Sequence, residues 1–579
     1  MTAFPPCFGP AASPDAPRAR HRSIGRFALF AAALLAGLGA QSAMAQQAGL
    51  PGIQTDSRLD PSPTVDRDRS DRTEPRLPPP AGGPALHGSS VSVAAAPSQT
   101  SLTNVRFVGV SLSPAILLRV ARPFIGKPIT PANLQALATA VGQAYASSDI
   151  AYYAIMIPPQ TPTNGVLTVK VTEGAITQYT LNGKPAAKAT PRIAEQIARL
   201  MHEKPLLKSG LDRALTLIRE LPGETVSVQM RQVGTTGDLI LDMTSHRKVA
   251  DVKITIDNTA IANVIQAFQA QVDVGFNNVL HDGDRFHVSS YLPIHPNRYQ
   301  FYTAGYSVPL TASGLSLGFN AAHLYTKTTD SSAVGKATLG GMTLTLPVIH
   351  GSKTNLSLTG ALDGTDSSNY FLDTAFGSYR TRVARLGAAF SKADARNGFA
   401  VSVVASHGLG ILGAEAFTGF SQEGFTKVSG QAVVVRSVGK SVTIKATTHA
   451  QYTTSLLPVI ERQVLGGPDG GRAFDIGSLT GDKAVTGSIE TSYTLPIKSK
   501  LLRGTAVYAF VDGALAGTIA RPYYNLPADN FSLASAGGGV RIRLLNKWTG
   551  SVEVAVPVKR PSAAYSQRAR VFFGVGTAF

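Results

Sequence analysis

With 579 residues, 54 Lys and Arg against 36 Asp and Glu, a formal net charge of +18 and only 16% charged residues, the chain is long, basic and sparsely charged. Its mean hydropathy of +0.07 is high, yet after about the first forty residues no apolar run reaches the roughly 18 residues that a membrane-spanning helix needs. Apolarity is instead spread thinly, as strands spread it, and with no basic run carrying interleaved aromatics no nucleic-acid partner is expected.

At the N-terminus, Arg18, Arg20, Arg22 and Arg26 precede an apolar run from Phe27 to Leu38 and the small residues Ala43-Met44-Ala45. This is the pattern of a secretory leader over residues 1–45, cleaved after Ala45. The only cysteine, Cys7, leaves with it. An exported chain without cysteine offers no thiolate for metal or catalysis. Residues 46–99 are rich in Pro, Gly, Ser and Ala, with a mixed-charge run from Asp66 to Arg72 and Pro78 to Pro80. Too few large apolar residues are present to offset the entropy of ordering, so a tether or extended plug segment is expected.

Between Leu102 and Arg247 the pattern becomes that of small α+β domains. Val105 to Gly109 reads as a strand, and Thr130-Pro131 as an N-cap with proline at the first helical position. Leu134, Leu137, Val141 and Tyr145 then share one helical face. Tyr152 to Ile157 and Val166 to Val171 close the unit as strands. The order repeats: Lys127-Pro128-Ile129 returns as Lys204-Pro205-Leu206, and Gly109 returns as Gly183. Leu211, Leu215 and Ile218 form the second helical stripe, so two tandem domains are expected at 100–174 and 175–248. Their edge strands could add an extended chain by backbone pairing.

From 249 to 579 strand follows strand, separated by turns rich in Gly, Asn, Asp and Ser. About sixteen candidates begin near Val249, Ile265, Arg285, Arg298, Gly314, Gly335, Lys353, Thr381, Asn397, Lys427, Ser441, Lys483, Arg503, Ala534, Lys547 and Arg570. An even number suits a closed bacterial barrel, which leaves no unpaired edge in lipid. Val485, Gly487, Ile489, Thr491, Tyr493 and Leu495 alternate with Ala484, Thr486, Ser488, Glu490, Ser492 and Thr494, lipid taking the first set and the lumen the second. The last strand assigns Val571, Phe573, Val575, Thr577 and Phe579 to lipid. His295, beside Pro296, reads as a periplasmic turn residue. The stretch 466–482 is too glycine-rich for strand or helix, yet holds Arg472, Phe474, Asp475 and Asp482, which points to a loop folded back into the pore.

A leader, a Pro-rich tether, two tandem α+β units, sixteen strands, a loop around Arg472 between strands eleven and twelve, and a terminal aromatic together resemble the two-partner secretion transporters of the TpsB type. The fold this implies is an all-β transmembrane barrel of about 16 antiparallel strands preceded by two POTRA domains in the periplasm. The function it implies is capture of an unfolded exoprotein, a TpsA-like adhesin or haemolysin, and its export through the barrel. Further implied partners are outer-membrane lipid, lipopolysaccharide and the barrel assembly machinery, which reads a C-terminal signal ending at Phe579. The family's loop motif resembles Gly471-Arg472-Ala473-Phe474-Asp475 with Gly481-Asp482; Arg472 and Phe474 match it, Gly471 and Ala473 depart. The resemblance also implies that Arg472 pairs with Asp512 of Phe510-Val511-Asp512-Gly513 on the inner wall. Alternation alone leaves the side of Asp512 open, since Tyr508 and Phe510 share its face.

No catalytic residue, metal site or cofactor is expected: HExxH and phosphate-loop patterns do not occur. Two other classes fit the same residues less closely. A barrel assembly factor would use a similar loop with more periplasmic domains, and a passive porin would need neither α+β unit.

Overall fold

The computed structural model describes the chain from Gly88 to Phe579, apart from residues 95–97, 186–188, 235–236, 260–263, 265–267, 330–332, 372–373, 563–564 and 566–567 and positions 469, 500, 503 and 546. The leader, Cys7 and the tether up to residue 87 lie outside the described residues.

In the first α+β unit the helix α2 (Pro131–Ser147) begins where its cap dictates, with Thr130 Oγ1 accepting from the Asn133 amide at 3.2 Å. Helix α1 (Pro114–Ala121) precedes it. Leu134, Leu137, Val141 and Tyr145 turn inward onto the strands β2 (Asn104–Val108), β3 (Tyr152–Ile157) and β4 (Val166–Glu173). The Tyr145 hydroxyl donates to Glu173 at 2.7 Å, and burial together with that bond raises its pKa. A fourth strand, β1 (Gly88–Val93), comes from the stretch expected as a tether. It pairs parallel with β3, Gly88 opposite Tyr152 through Val93 opposite Ile157, giving the order β1-β3-β4-β2. Val93 packs on the core, and backbone pairing along an otherwise open edge orders a segment too polar to fold alone.

The second unit repeats the plan. Strands β5 (Ala175–Leu181), β6 (Lys184–Pro185), β7 (Glu224–Val233) and β8 (Asp238–Arg247) form a sheet in the order β6-β5-β8-β7. Helices α3 (Pro191–His202) and α4 (Lys208–Arg219) cover it, with Leu211, Leu215 and Ile218 buried.

Sixteen strands then close into a barrel, from the first (Ala250–Asp257) to the sixteenth (Arg570–Ala578), each antiparallel to its neighbours. The closing seam is short: Lys253 to Asp257 pair with Ala578 to Gly574. Asn258 lengthens it with its side chain, giving a hydrogen bond to Val571 O at 2.8 Å and accepting one from the Phe573 amide at 2.9 Å. The Phe579 amide adds a bond to Val252 O at 2.8 Å.

Helices α3 and α4 rest on alternate barrel turns and thereby define the periplasmic rim. The Arg192 amide meets Asp282 at 2.8 Å, Gln196 meets Ala312 O at 2.8 Å, and Arg213 meets Ser313 O at 2.8 Å and Pro347 O at 3.0 Å. Asp212 accepts from the Ser352 amide at 2.9 Å. The intervening turns lie at the other rim. His295 sits in one of those, between the third (Arg285–Pro293) and fourth (Tyr299–Pro309) strands, so its expected periplasmic place is corrected to the outer side.

On the twelfth strand (Lys483–Thr494), Val485, Ile489 and Tyr493 are exposed outward, and Ala484, Thr486, Ser488 and Glu490 are buried inward. On the sixteenth, Val571, Val575 and Phe579 are exposed. Thr577 shares their face but is buried between its cross-strand partners Trp548 and Ile254.

Leu137 is about 1% exposed, and truncation of such a residue leaves a cavity. Leu137→Ala is expected to destabilise the first α+β unit by about 2–5 kcal/mol without touching the barrel. Limited proteolysis of the full-length protein checks this: faster cleavage of the N-terminal part, with an unchanged barrel fragment, is the expected pattern.

Candidate functional site

Between the eleventh (Val442–Thr453) and twelfth strands the chain enters the lumen from the outer rim and returns. Its two limbs are drawn together by the pair Gln463–Leu465 with Leu479–Gly481. The turn above them needs glycine, since Gly466, Gly467 and Gly471 have φ of 93°, 79° and 112°. A Cβ on Gly471 would lie 2.4 Å from Leu533 Cδ1. Ala473 adopts no positive φ and is fully buried, so the tip turns at Gly471 and an alanine is accommodated two residues later.

This geometry places Arg472 among three carboxylates from three strands. Its Nη1 lies 3.1 Å from Glu490 of the twelfth strand and 3.0 Å from Glu553 of the fifteenth (Trp548–Lys559). Its Nε lies 3.6 Å from Asp512 of the thirteenth (Ala506–Thr518), and its guanidinium stacks 4.1 Å from the Phe510 ring centroid. Asp512 faces inward with Tyr508 and Phe510. Its contact with Arg472 is single and long rather than two-pronged, because its oxygens are taken by the backbone of the tip. Gly471 N donates at 2.9 Å and Arg472 N at 3.3 Å, and the Ser535 hydroxyl donates as well. Arg541 completes the cluster, 2.5 Å from Glu490 and 3.8 Å above the Tyr508 ring. Arg541 reaches in from an exposed position, whereas Arg472, Glu490, Asp512 and Glu553 are largely removed from water, where charges are tolerated only in mutual contact.

The other loop residues are fixed at separate points, on the wall or at the outer rim. Phe474 is fully buried among Leu465, Tyr508, Phe510, Ala514 and Leu533. Asp475 pairs with Arg570 of the sixteenth strand. Gly481 passes so close to Ala516 that a Cβ would lie 2.9 Å away. Asp482 is held by Arg521 at 3.1 Å and Arg462 at 3.4 Å. On the entering limb, Glu461 meets Arg385 at 2.7 Å and Lys427 at 3.0 Å, and Arg385 in turn meets Asp363 at 2.6 Å. Phe579 is distant from all of these in role, pairing at the periplasmic end of the seam.

Sequence reasoning singled out Arg472 and Asp512 but not Glu490, Glu553 or Glu461. A signal existed for two of them. Glu490 is the one charged side chain on the lumen face of its strand, and Glu553 the one acid in Trp548 to Lys559. Glu461 lies in a short helical turn, Val459–Glu461, whose place in the lumen nothing local announces.

Residues 236–542 match the family described as haemolysin secretion/activation protein ShlB/FhaC/HecB, and residues 100–174 match the ShlB-type POTRA domain. The chain belongs to the ShlB/FhaC/HecB family. It is an outer-membrane transporter of two-partner secretion, with its POTRA region in the periplasm and a secreted exoprotein as partner. The transporter is similar in fold to CdiB from Escherichia coli, at 19% identity and TM-score 0.68 over 89% of this chain and 96% of that one. CdiB from Acinetobacter baumannii is similar at 16% identity and TM-score 0.61, over 90% and 97%. BamA from Haemophilus ducreyi lacking POTRA domains 1–3 reaches 15% identity and TM-score 0.50, over 83% and 100%. Among curated proteins, none matches the sequence significantly.

Positive φ at Gly471 and its close approach to Leu533 make Gly471→Ala a disruptive single-methyl change in the tip. At Ala473 neither constraint holds. Gly471→Ala is expected to lower the temperature at which the transporter loses its compact form on gels by several degrees, and Ala473→Gly by much less. Equal shifts would count against this account of the turn.

Proposed function

We propose that the tip cluster is a releasable latch: Arg472, held by Glu490, Glu553 and Asp512, keeps the loop 466–482 in the lumen until the exoprotein passes. The observation that carries this reading is the burial of Arg472 against carboxylates on three separate strands, so that one side chain braces a quarter of the wall. Removing it would leave three carboxylates without their shared cation, which costs more than removing the whole group.

The same reading assigns the earlier steps to the POTRA sheets. The strand β1, laid along the edge of β3, supports an edge of this type accepting an extended chain, and β7 is the edge strand of the second sheet. The exoprotein is then an extended adhesin or haemolysin of the TpsA type, and the domain limits are 100–174, 175–248 and 249–579. The outward belt containing Val485, Ile489 and Tyr493 supports contact with lipid and lipopolysaccharide. The terminal strand ending at Phe579 supports recognition by the barrel assembly machinery. Transport, with no catalytic step, is the activity assigned to the chain.

Arg472→Ala is expected to lower exoprotein secretion at least about tenfold after normalisation to the amount of folded barrel in the outer membrane. Secretion at the unmutated level, with the barrel folded, overturns the latch.

A further inference from the structure

Two outer connections meet above the point where the lumen loop enters. One, residues 409–425, joins the ninth (Asn397–Gly408) and tenth (Thr426–Val438) strands; the other, residues 519–528, joins the thirteenth and fourteenth (Asp529–Leu544). They come from strand pairs on either side of the eleventh and twelfth, and they touch through aromatic rings. Phe417 and Tyr524 stack with centroids 6.0 Å apart and planes at 4°, and Phe420 meets Tyr524 edge-on at 6.2 Å. The Tyr524 hydroxyl donates to Thr418 O at 3.0 Å. Tyr523 lies so close to Gly419 that a Cβ there would be 2.6 Å from its ring.

Beneath the rings lies Arg521, a buried guanidinium with three tasks. Nη1 and Nη2 meet Asp482, at the exit of the lumen loop, at 3.2 and 3.1 Å. Nε donates to Phe420 O in the other outer connection at 3.0 Å, and the guanidinium plane lies 4.6 Å from the Phe420 ring centroid. Arg462, on the entering limb, lies at the same distance from that ring and 3.4 Å from Asp482. The Asp482 carboxylate also accepts from the Ile519 amide at 2.9 Å. Both limbs of the lumen loop are therefore joined to both outer connections through one carboxylate and one arginine. The start of the loop is tied in as well, since the Gln422 amide donates to Leu456 O at 2.9 Å.

We propose that Phe417, Phe420, Tyr523 and Tyr524 form an outer gate and that Arg521 is the positioning residue that couples this gate to the lumen loop through Asp482. The proposal rests on the reading of the lumen loop as the moving element. The loop enters the barrel directly under the rings, so withdrawing its tip pulls Asp482 and Arg462 away from Arg521 and Phe420. A bidentate Arg–carboxylate contact shielded from water resists that movement and is lost as a unit. Gate and loop then open together, and the exoprotein leaves past the parted rings.

The test uses the full-length transporter with Cys7→Ser, its only native cysteine removed, and the pair Phe417→Cys and Tyr524→Cys joined by a disulfide or a short bis-maleimide. Bridging is expected to cut exoprotein secretion at least about tenfold, with recovery on reducing the disulfide. In parallel, Arg521→Ala is expected to raise the frequency of open events in planar-bilayer conductance several-fold, with Arg521→Lys intermediate. Full secretion with the bridge formed, or unchanged conductance in a folded Arg521→Ala barrel, overturns the coupling. If Arg472→Ala abolishes secretion while the bridge does not, the gate alone falls; if neither has an effect, the latch falls with it.

Discussion

Inside a bilayer no water is available to satisfy a backbone amide or carbonyl, and every other feature of this molecule follows from that constraint. The first strand must find the sixteenth, and it does so through a short seam that Asn258 and Phe579 lengthen with additional hydrogen bonds. Closure with an even strand number brings both ends of the barrel to one rim, the rim on which α3 and α4 sit. Sidedness is then a matter of parity. The connection between the eleventh and twelfth strands must start at the outer rim, and its only route to burial is inward.

Once inside, the loop meets a second constraint. A lumen lined by strands offers few backbone partners, so the loop is held by side-chain charges and by its own glycines. Arg472, Asp475 and Glu461 each contact a different part of the wall, and Asp482 is held by Arg521 of the outer connection 519–528. Buried ion pairs contribute little net stability relative to apolar packing, but they are costly to break singly. That asymmetry suits the proposed latch, which is firm at rest and leaves as a whole. It also explains why Phe474, the loop's main apolar contribution, is placed beside the charged cluster rather than apart from it: the apolar contacts keep water from the pairs.

The periplasmic units show the same economy of edges. In the first, β1 covers the margin of β3; in the second, β7 remains the margin. Residues 88–93 carry none of the usual marks of a strand apart from Val91 and Val93, and their order comes from the backbone of β3. The polar, Ser-rich composition that suggested a tether there describes what the segment would do alone. It does not describe what it does beside an open edge.

Local pattern was enough for much of this chain. Alternation along Val485 to Thr494 told lipid from lumen, the helical stripe of Leu134, Leu137, Val141 and Tyr145 told core from surface, and Thr130-Pro131 told where a helix starts. The strand starts near Asn397, Lys483 and Arg570 coincide with those of the barrel, because period and turn chemistry are properties of neighbours in sequence. Tertiary structure alone decided which charges meet. Arg472 reaches Glu553, 81 residues away, and Arg521 reaches Phe420, 101 residues away, through the curvature of a closed sheet. It also decided the rim of His295 and the order of residues 88–93. Periodicity gives each residue a side of its own strand, whereas closure decides which strands face one another, and that is set by pairing between segments far apart in the chain.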